Sequence, residues 1–354
     1  MNRKAFFMTV GNVRDTQLDA YRALTMIYIV CVLHVLQLYL GATNKYFMIF
    51  LWEMPAIFFI AGASMQYANE KSFKDTIVNR SYRVLIPYWI YLATTQIIYR
   101  LFDFFVGRVF PLPITIWGVK DLLMAFLGVN TRGIEFGHLW FVFPYMAISC
   151  IFPLIRQLVL LYTWKFVLLN TVLLVFVNNL AFFCNSDGPM GWALYVAQEF
   201  IGYMVFFVIG FLYYKNLSRR KCFYIIITTL LLFQSMTFCI LPNMQAHKFP
   251  PDSLFIVYGI FTLSAWGLLL TKISIPASKI LSIWNKKGYT LYLYQSWGVL
   301  IVFSFKNKFQ AYFSDNAIWL VSIISSIFFV FILNTIISKY TYAFEREIIS
   351  RIHN

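Results

Sequence analysis

His34 lies in residues 27–36, a run that is apolar apart from Tyr28 and the histidine itself. A polar group in such a run is costly in hydrocarbon unless protein or a wet cavity surrounds it, which makes it a functional candidate. Imidazole is the side chain best suited to take a proton near neutral pH, so His34 is read as a general base. A neutral histidine bonded to a neighbouring helix is the alternative. Arg22 precedes His34 by twelve residues, about 18 Å along a helix at 1.5 Å per residue, so the two cannot touch directly if the segment is regular. A cation near one membrane face and a base deeper in the same span would suit a transfer between compartments. A snorkelling anchor is the plainer role for Arg22.

Arg80 and Arg83 stand three residues apart, a spacing that puts both guanidinium groups on one helix face. There they could grip a phosphate-rich ligand such as an acyl-CoA, although ordinary enrichment of positive charge on the cytoplasmic side also places them. Glu135, His138 and Trp140 cluster where another apolar run begins. They supply a carboxylate, an imidazole and an aromatic plane, the set that binds a sugar or positions a catalytic histidine; an aromatic belt with an interfacial histidine is the alternative. In Lys248-Phe249-Pro250-Pro251-Asp252, two prolines stiffen a short loop of the kind that positions a ligand at a pocket mouth, or that simply stops a helix. Gln295 and Ser296 add polar groups to a late apolar run, either lining the same cavity or bonding one helix to another.

Other chemistries lack residues. There is no phosphate-binding glycine loop, no Gly-x-Ser-x-Gly elbow, no paired zinc ligands and no acidic cluster for magnesium, so no metal site is expected. The five cysteines, Cys31, Cys150, Cys184, Cys222 and Cys239, are scattered through mostly apolar stretches and read as packing residues.

The elements that must position these groups follow from composition. Of 354 residues 60% are hydrophobic and 12% charged, with a mean hydropathy of +0.70; water cannot solvate such a surface, so the solvent is a bilayer. The net charge of +15 sits in short clusters between apolar spans, a topology signal and not a nucleic-acid groove. About 20 apolar residues cross the hydrocarbon, and ten stretches qualify: 19–40, 47–67, 83–101, 138–161, 164–184, 196–214, 223–241, 253–271, 288–305 and 317–340. The expected fold is therefore an all-α polytopic bundle of about ten transmembrane helices.

Three loops on one side carry Lys71, Lys74, Arg80 and Arg83; Lys215, Arg219, Arg220 and Lys221; and Lys272, Lys279, Lys286 and Lys287. On the other side the loop at 185–195 has no Lys or Arg and the loop after the 223–241 span has only Lys248, so both termini are expected in the cytoplasm. This gives a cytoplasmic segment 1–18, a membrane domain 19–340 and a cytoplasmic tail 341–354. The brief apolar patch at 5–10 lacks a following cleavage site, and no removable signal peptide is expected. The longest connection, 99–137, contains an apolar stretch at 114–126 that is too short to span and either lies at the interface or dips into the protein.

Several of these pieces together resemble the acyltransferase family 3 proteins, multi-pass membrane enzymes that move acyl groups, often acetyl, from a cytoplasmic donor to surface glycans and related acceptors. The pieces are Leu-Asp-Ala-Tyr-Arg-Ala at 18–23 leading to His34, Met-Pro-Ala-Ile-Phe-Phe-Ile-Ala-Gly at 54–62 and Arg-Ser-Tyr-Arg-Val-Leu-Ile-Pro-Tyr at 80–88. Gly-His-Leu-Trp-Phe at 137–141, the Lys248–Asp252 loop with Tyr258-Gly259, and Gly-Tyr-Thr-Leu-Tyr-Leu at 288–293 complete them. The resemblance implies that His34 is the base for the acceptor hydroxyl and that Arg22, Arg80 and Arg83 hold the donor. It also implies acetyl-CoA or another acyl-CoA as co-substrate with no bound cofactor, a glycan or similar hydroxylated acceptor, and a bacterial plasma membrane location.

Two departures stand out. Eleven residues separate Arg22 from His34 where ten are common, which moves their angular offset from about 20° to about 120° on a regular helix and calls for a local irregularity or a different role for the arginine. Gln295 stands where many members carry a histidine. A transporter of acyl or glycan units and a non-catalytic membrane partner are the competing readings.

Overall fold

The computed structural model describes residues 15–34, 50–67, 73–106, 118–126, 137–183, 189–216, 218–238, 240, 242–270, 274–276, 278–309 and 314–353. All regular structure among them is helical. In chain order the α-helices are α1 (Thr16–Tyr28), α2 (Glu53–Ser64), α3 (Phe73–Val106), α4 (Val119–Phe126), α5 (Val142–Tyr162), α6 (Trp164–Phe183), α7 (Pro189–Tyr213), α8 (Arg219–Thr237), α9 (Met244–Lys248), α10 (Ser253–Leu270), α11 (Lys279–Phe309) and α12 (Asp315–His353). A π-helical turn, Ile29–Leu33, follows α1, and a 3₁₀ turn, Gly137–Phe141, leads into α5. Among the described residues, three helical segments, His138–Tyr162, Trp164–Phe183 and Met190–Asn216, are long and apolar enough to cross a membrane, and Glu53–Ser64 and Ser253–Leu269 are shorter apolar helices. The tail expected at 341–354 continues α12 without a break as far as His353.

Short polar residues set the helix starts. The Asp15 Oδ1 accepts from the backbone N–H groups of Gln17 and Leu18, each at 3.0 Å, ahead of α1. Asp252 does the same for the Phe255 N–H at 3.0 Å ahead of α10, and Ser278 for the Leu281 N–H at 3.1 Å ahead of α11. Each satisfies a donor that a helix N-terminus leaves without an intrahelical acceptor.

The chain forms two compact units. The first comprises 1–28, 36–73 and 151–285; the second 29–35, 74–150 and 286–354. In the first, α2 and α7 meet backbone to backbone. A Cβ placed on Gly62 would lie 1.8 Å from the Phe207 carbonyl oxygen, and one on Gly210 would lie 1.9 Å from that of Phe59. Lipid tails give helices no hydrophobic reason to associate, so close approach through small residues supplies the dispersion contact instead. Polar groups add to it: Gln198 Nε2 donates to Asn178 Oδ1 at 2.7 Å and Asn170 Nδ2 to the Ile201 carbonyl at 2.9 Å, tying α6 to α7. The outer face of α6 leaves Leu168, Leu169, Val172 and Phe176 exposed, as a lipid-facing helix requires.

Tyrosines join the second unit. Tyr289 donates to the Val84 carbonyl at 3.2 Å, linking α11 to α3, and Tyr342 to the Lys286 carbonyl at 2.7 Å, linking α12 to α11. Tyr88 donates to the carbonyl of Ala125, a fully buried residue of α4. Within the described part of the 114–126 stretch, Ala125 is buried while Val119 and Leu123 are exposed.

Gly62→Val or Gly210→Val is expected to cost about 3 kcal/mol or more through overpacking and to abolish the monodisperse species on size-exclusion chromatography. Gly118→Ala, whose Cβ would meet only the Asp121 Oδ2 at 3.7 Å, is expected to leave it intact.

Candidate active site

The second unit gathers two histidines around one tyrosine. His34 follows directly on the π-helical turn, and its Nδ1 lies 2.7 Å from Gln295 Oε1 of α11. One helical turn earlier on α11, the ring of Tyr292 sits 6.1 Å from the His34 ring and 5.2 Å from the His138 ring, centroid to centroid. The Tyr292 hydroxyl donates to the His138 carbonyl, and His138 Nε2 donates to the Leu293 carbonyl at 3.1 Å. A carbonyl only accepts, so His138 carries its proton on Nε2. Tyr91 of α3 packs edge-on against the His138 ring at 5.9 Å, and its hydroxyl pairs with Ser296. Residues 291–296 of α11 are all buried. Two half-buried imidazoles thus meet a buried amide and two buried phenols, a set able to move a proton and bind a hydroxyl.

The sequence-predicted residues divide between the units. His34, His138, Trp140, Arg80 and Arg83 belong to the second. Trp140 and Arg80 are half-buried, whereas Arg83 is exposed, so the two arginines that share a helix face differ in environment. Arg83 acts on Glu345 of α12: burial pushes that carboxyl above its ordinary range, and Arg83 and Arg346 oppose the shift. Glu135 lies outside the described residues, as do Lys71, Lys272, Cys184, Cys239 and the 5–10 patch.

Arg22 belongs to the first unit. Its Nη2 donates to Ser64 Oγ at 2.7 Å, and its Nη1 lies 3.4 Å from Asn285 Oδ1 and 3.5 Å from Asp19 Oδ1. The side chain remains 38% exposed. The π-helical turn falls between Arg22 and His34. A π turn takes one residue more than an α turn, so the helix carries there the irregularity that the long spacing calls for.

Lys248, expected on a ligand-positioning loop, turns inward. Its Nζ pairs with Glu53 Oε1, and both side chains are at least nine-tenths buried. The Tyr203 hydroxyl donates to the Lys248 carbonyl at 3.2 Å. Beside it His247 Nδ1 meets Asp252 Oδ2 at 2.6 Å.

A cavity of about 770 Å³ opens in the first unit. Its walls are apolar and aromatic, with Tyr28 stacked on Trp52 at 4.3 Å and Trp52 tilted against Trp266 at 4.7 Å. Asp15, Gln17, Tyr67, Tyr214 and Lys215 supply its polar groups. None of the sequence-predicted site residues lines it. Its one carboxylate is committed: the Asp15 Oδ2 accepts from Tyr67 and Tyr214. Burial works against that charge, but these hydroxyls and the N–H groups of Leu18 and Gln17 together outweigh it and hold the carboxyl below its ordinary range. The cavity thus offers an apolar molecule room without offering a base.

Sequence reasoning missed Tyr292, Glu53 and Glu199, the last a buried carboxylate of α7 bonded to Tyr195. The signal for both glutamates was present, since each is an ionisable group within an apolar run. Tyr292 had none beyond its place in the Gly288–Leu293 motif. Among the described residues no group of three or more His, Cys, Asp or Glu is arranged to hold a metal ion.

Comparison with protein families matches residues 15–337 to the acyltransferase 3 family, described as an acyltransferase domain. The match covers nearly the whole chain, and the protein belongs to that family. It is an integral membrane protein of the acyltransferase class. No curated protein and no solved structure matches the chain.

Two outcomes follow from the first unit. Lys248→Met strands the buried Glu53 carboxylate and is expected to cost about 3–5 kcal/mol, with most of it recovered in the Lys248→Met/Glu53→Gln double variant; thermal unfolding in detergent reads both. The hydrogen bond that His247 donates to Asp252 raises the titration of the histidine, burial opposes it, and the Asp252 charge adds to the rise. Its stabilisation is therefore complete below the ordinary histidine range and lost as pH rises through the raised folded value. Wild-type melting temperature should fall over that interval, and Asp252→Asn, which keeps a helix-capping oxygen, should flatten the dependence.

Proposed function

We propose that this protein is a membrane-bound O-acyltransferase that moves an acyl group, acetyl in the first instance, from cytoplasmic acyl-CoA to a hydroxyl of a cell-surface or membrane-linked glycan. In this reading ten spans cross a bacterial plasma membrane, both termini are cytoplasmic, and Arg22, Arg80 and Arg83 bind the donor. The observation that carries it is the meeting of His34 with Gln295 in a buried cluster that also holds His138 and Tyr292.

The chemistry balances without a cofactor. His34 takes the proton of the acceptor hydroxyl as that oxygen attacks the thioester carbonyl, and the carbonyl oxygen gains charge that a neighbouring donor stabilises. The tetrahedral centre then expels the CoA sulfur, the C–S bond breaks, and the imidazolium returns its proton to the thiolate. An ester and free CoA thiol result. His138, with Nε2–H engaged by Leu293, shapes the wall beside Tyr292. Trp140, on the same 3₁₀ turn, offers an aromatic plane to the acceptor sugar.

The test is acetyl-CoA binding and turnover with a hydroxylated glycan acceptor, on purified protein in lipid. His34→Ala should lower transfer by about 10²–10⁴-fold, the usual worth of a general base, while binding survives. Absence of binding by wild type to acetyl-CoA and to longer acyl-CoAs would overturn the reading.

A further inference from the structure

Gln295 is 6% exposed on α11, and its amide oxygen faces His34 Nδ1 at 2.7 Å. An amide oxygen only accepts, so this orientation requires the proton of a neutral His34 to sit on Nδ1, with the lone pair on Nε2. Turned the other way, the amide would present N–H to Nδ1, force the proton onto Nε2 and remove the base from that nitrogen. The Tyr292 hydroxyl donates to the His138 carbonyl, and His138 Nε2 donates to the Leu293 carbonyl.

We propose that Gln295 is the positioning residue of His34: its Oε1 holds the Nδ1–H and so fixes Nε2 as the nitrogen that takes the acceptor proton. The inference rests on the acyltransferase reading and adds to it the nitrogen that reacts and the group that selects it. A neutral amide does this differently from a carboxylate, which would also bind the imidazolium tightly. Here the tautomer is set without a buried charge. The Gln295 Nε2 has no partner among the described residues. A buried donor of that kind wants an acceptor, and the acyl oxygen is the group that the reaction would bring.

The experiment uses the full chain in lipid nanodiscs with ¹⁵N-labelled histidine. His34→Gln assigns the His34 signals among the four histidines. Wild type should show the Nδ1–H tautomer at His34 without substrate. Gln295→Glu keeps an acceptor and should keep that tautomer. Gln295→Met removes it and should move His34 toward Nε2–H, with kcat falling about 10–100-fold at unchanged KM for acyl-CoA. Unchanged His138 signals show that each variant is folded. Protonation of wild-type His34 on Nε2, or a Gln295→Met variant with wild-type tautomer and kcat, would overturn the inference. The tautomer is read without turnover, so a wild type that shows Nδ1–H yet transfers no acyl group upholds the hydrogen bond and overturns the acyltransferase reading alone.

Discussion

Hydrocarbon offers no hydrogen bonds, and that constraint decides where the polar side chains of this protein sit. A polar group within a span must find its partner on another helix or on its own backbone. The consequence runs through both units. Tyrosine hydroxyls of the second unit end on carbonyls of Val84, Ala125, His138 and Lys286, while hydroxyls such as Thr229 and Thr335 fold back on their own helix. The histidine pair belongs to this pattern. Its hydrogen bonds to Gln295 and Leu293 come from a single helix, α11, so one rigid element sets the orientation of both rings.

The units meet the constraint by different means. In the first, Gly62 and Gly210 let two backbones touch, and a buried ion pair closes the charge of Glu53 on Lys248. An unpartnered charge in such a place would cost several kcal/mol, which makes the pair obligatory even if it adds little net stability over an apolar replacement. In the second, aromatic side chains with polar tips fill the space and link the helices. Phe141 packs edge-on against Tyr292 at 5.1 Å, and Tyr91 against Tyr294 at 5.0 Å. A tyrosine contributes a large apolar body and one donor, which suits a locus that must be both packed and polar.

Much of the helical layout could be read from hydropathy alone, because apolar blocks of the right length leave few alternatives to helix in a bilayer. His34 and His138 could be picked out individually for the same reason. Their association could not, since it depends on Tyr292 and Gln295, and the partner of His34 lies 261 residues away. Lys248 drew attention through the adjacent prolines, but its fate was decided by Glu53, 195 residues distant. Local spacing says nothing about such pairings. Glu53 and Glu199 carry a local signal, as carboxylates in apolar runs. Asp15 carries one too: its place just before an apolar helix marks an N-cap, though not the two tyrosines that share its second oxygen.

The π-helical turn at Ile29–Leu33 bears on how such proteins are compared. A motif written as an arginine, a fixed gap and a histidine counts residues, whereas what a helix conserves is phase. One additional residue can be stored as a wider turn instead of being passed on as a rotation of everything that follows. In this chain a π turn of five residues lies inside the gap that a rigid pattern would count. Gap length in a helical motif is thus a property of the path between two side chains, and two chains with different counts can present the same chemistry.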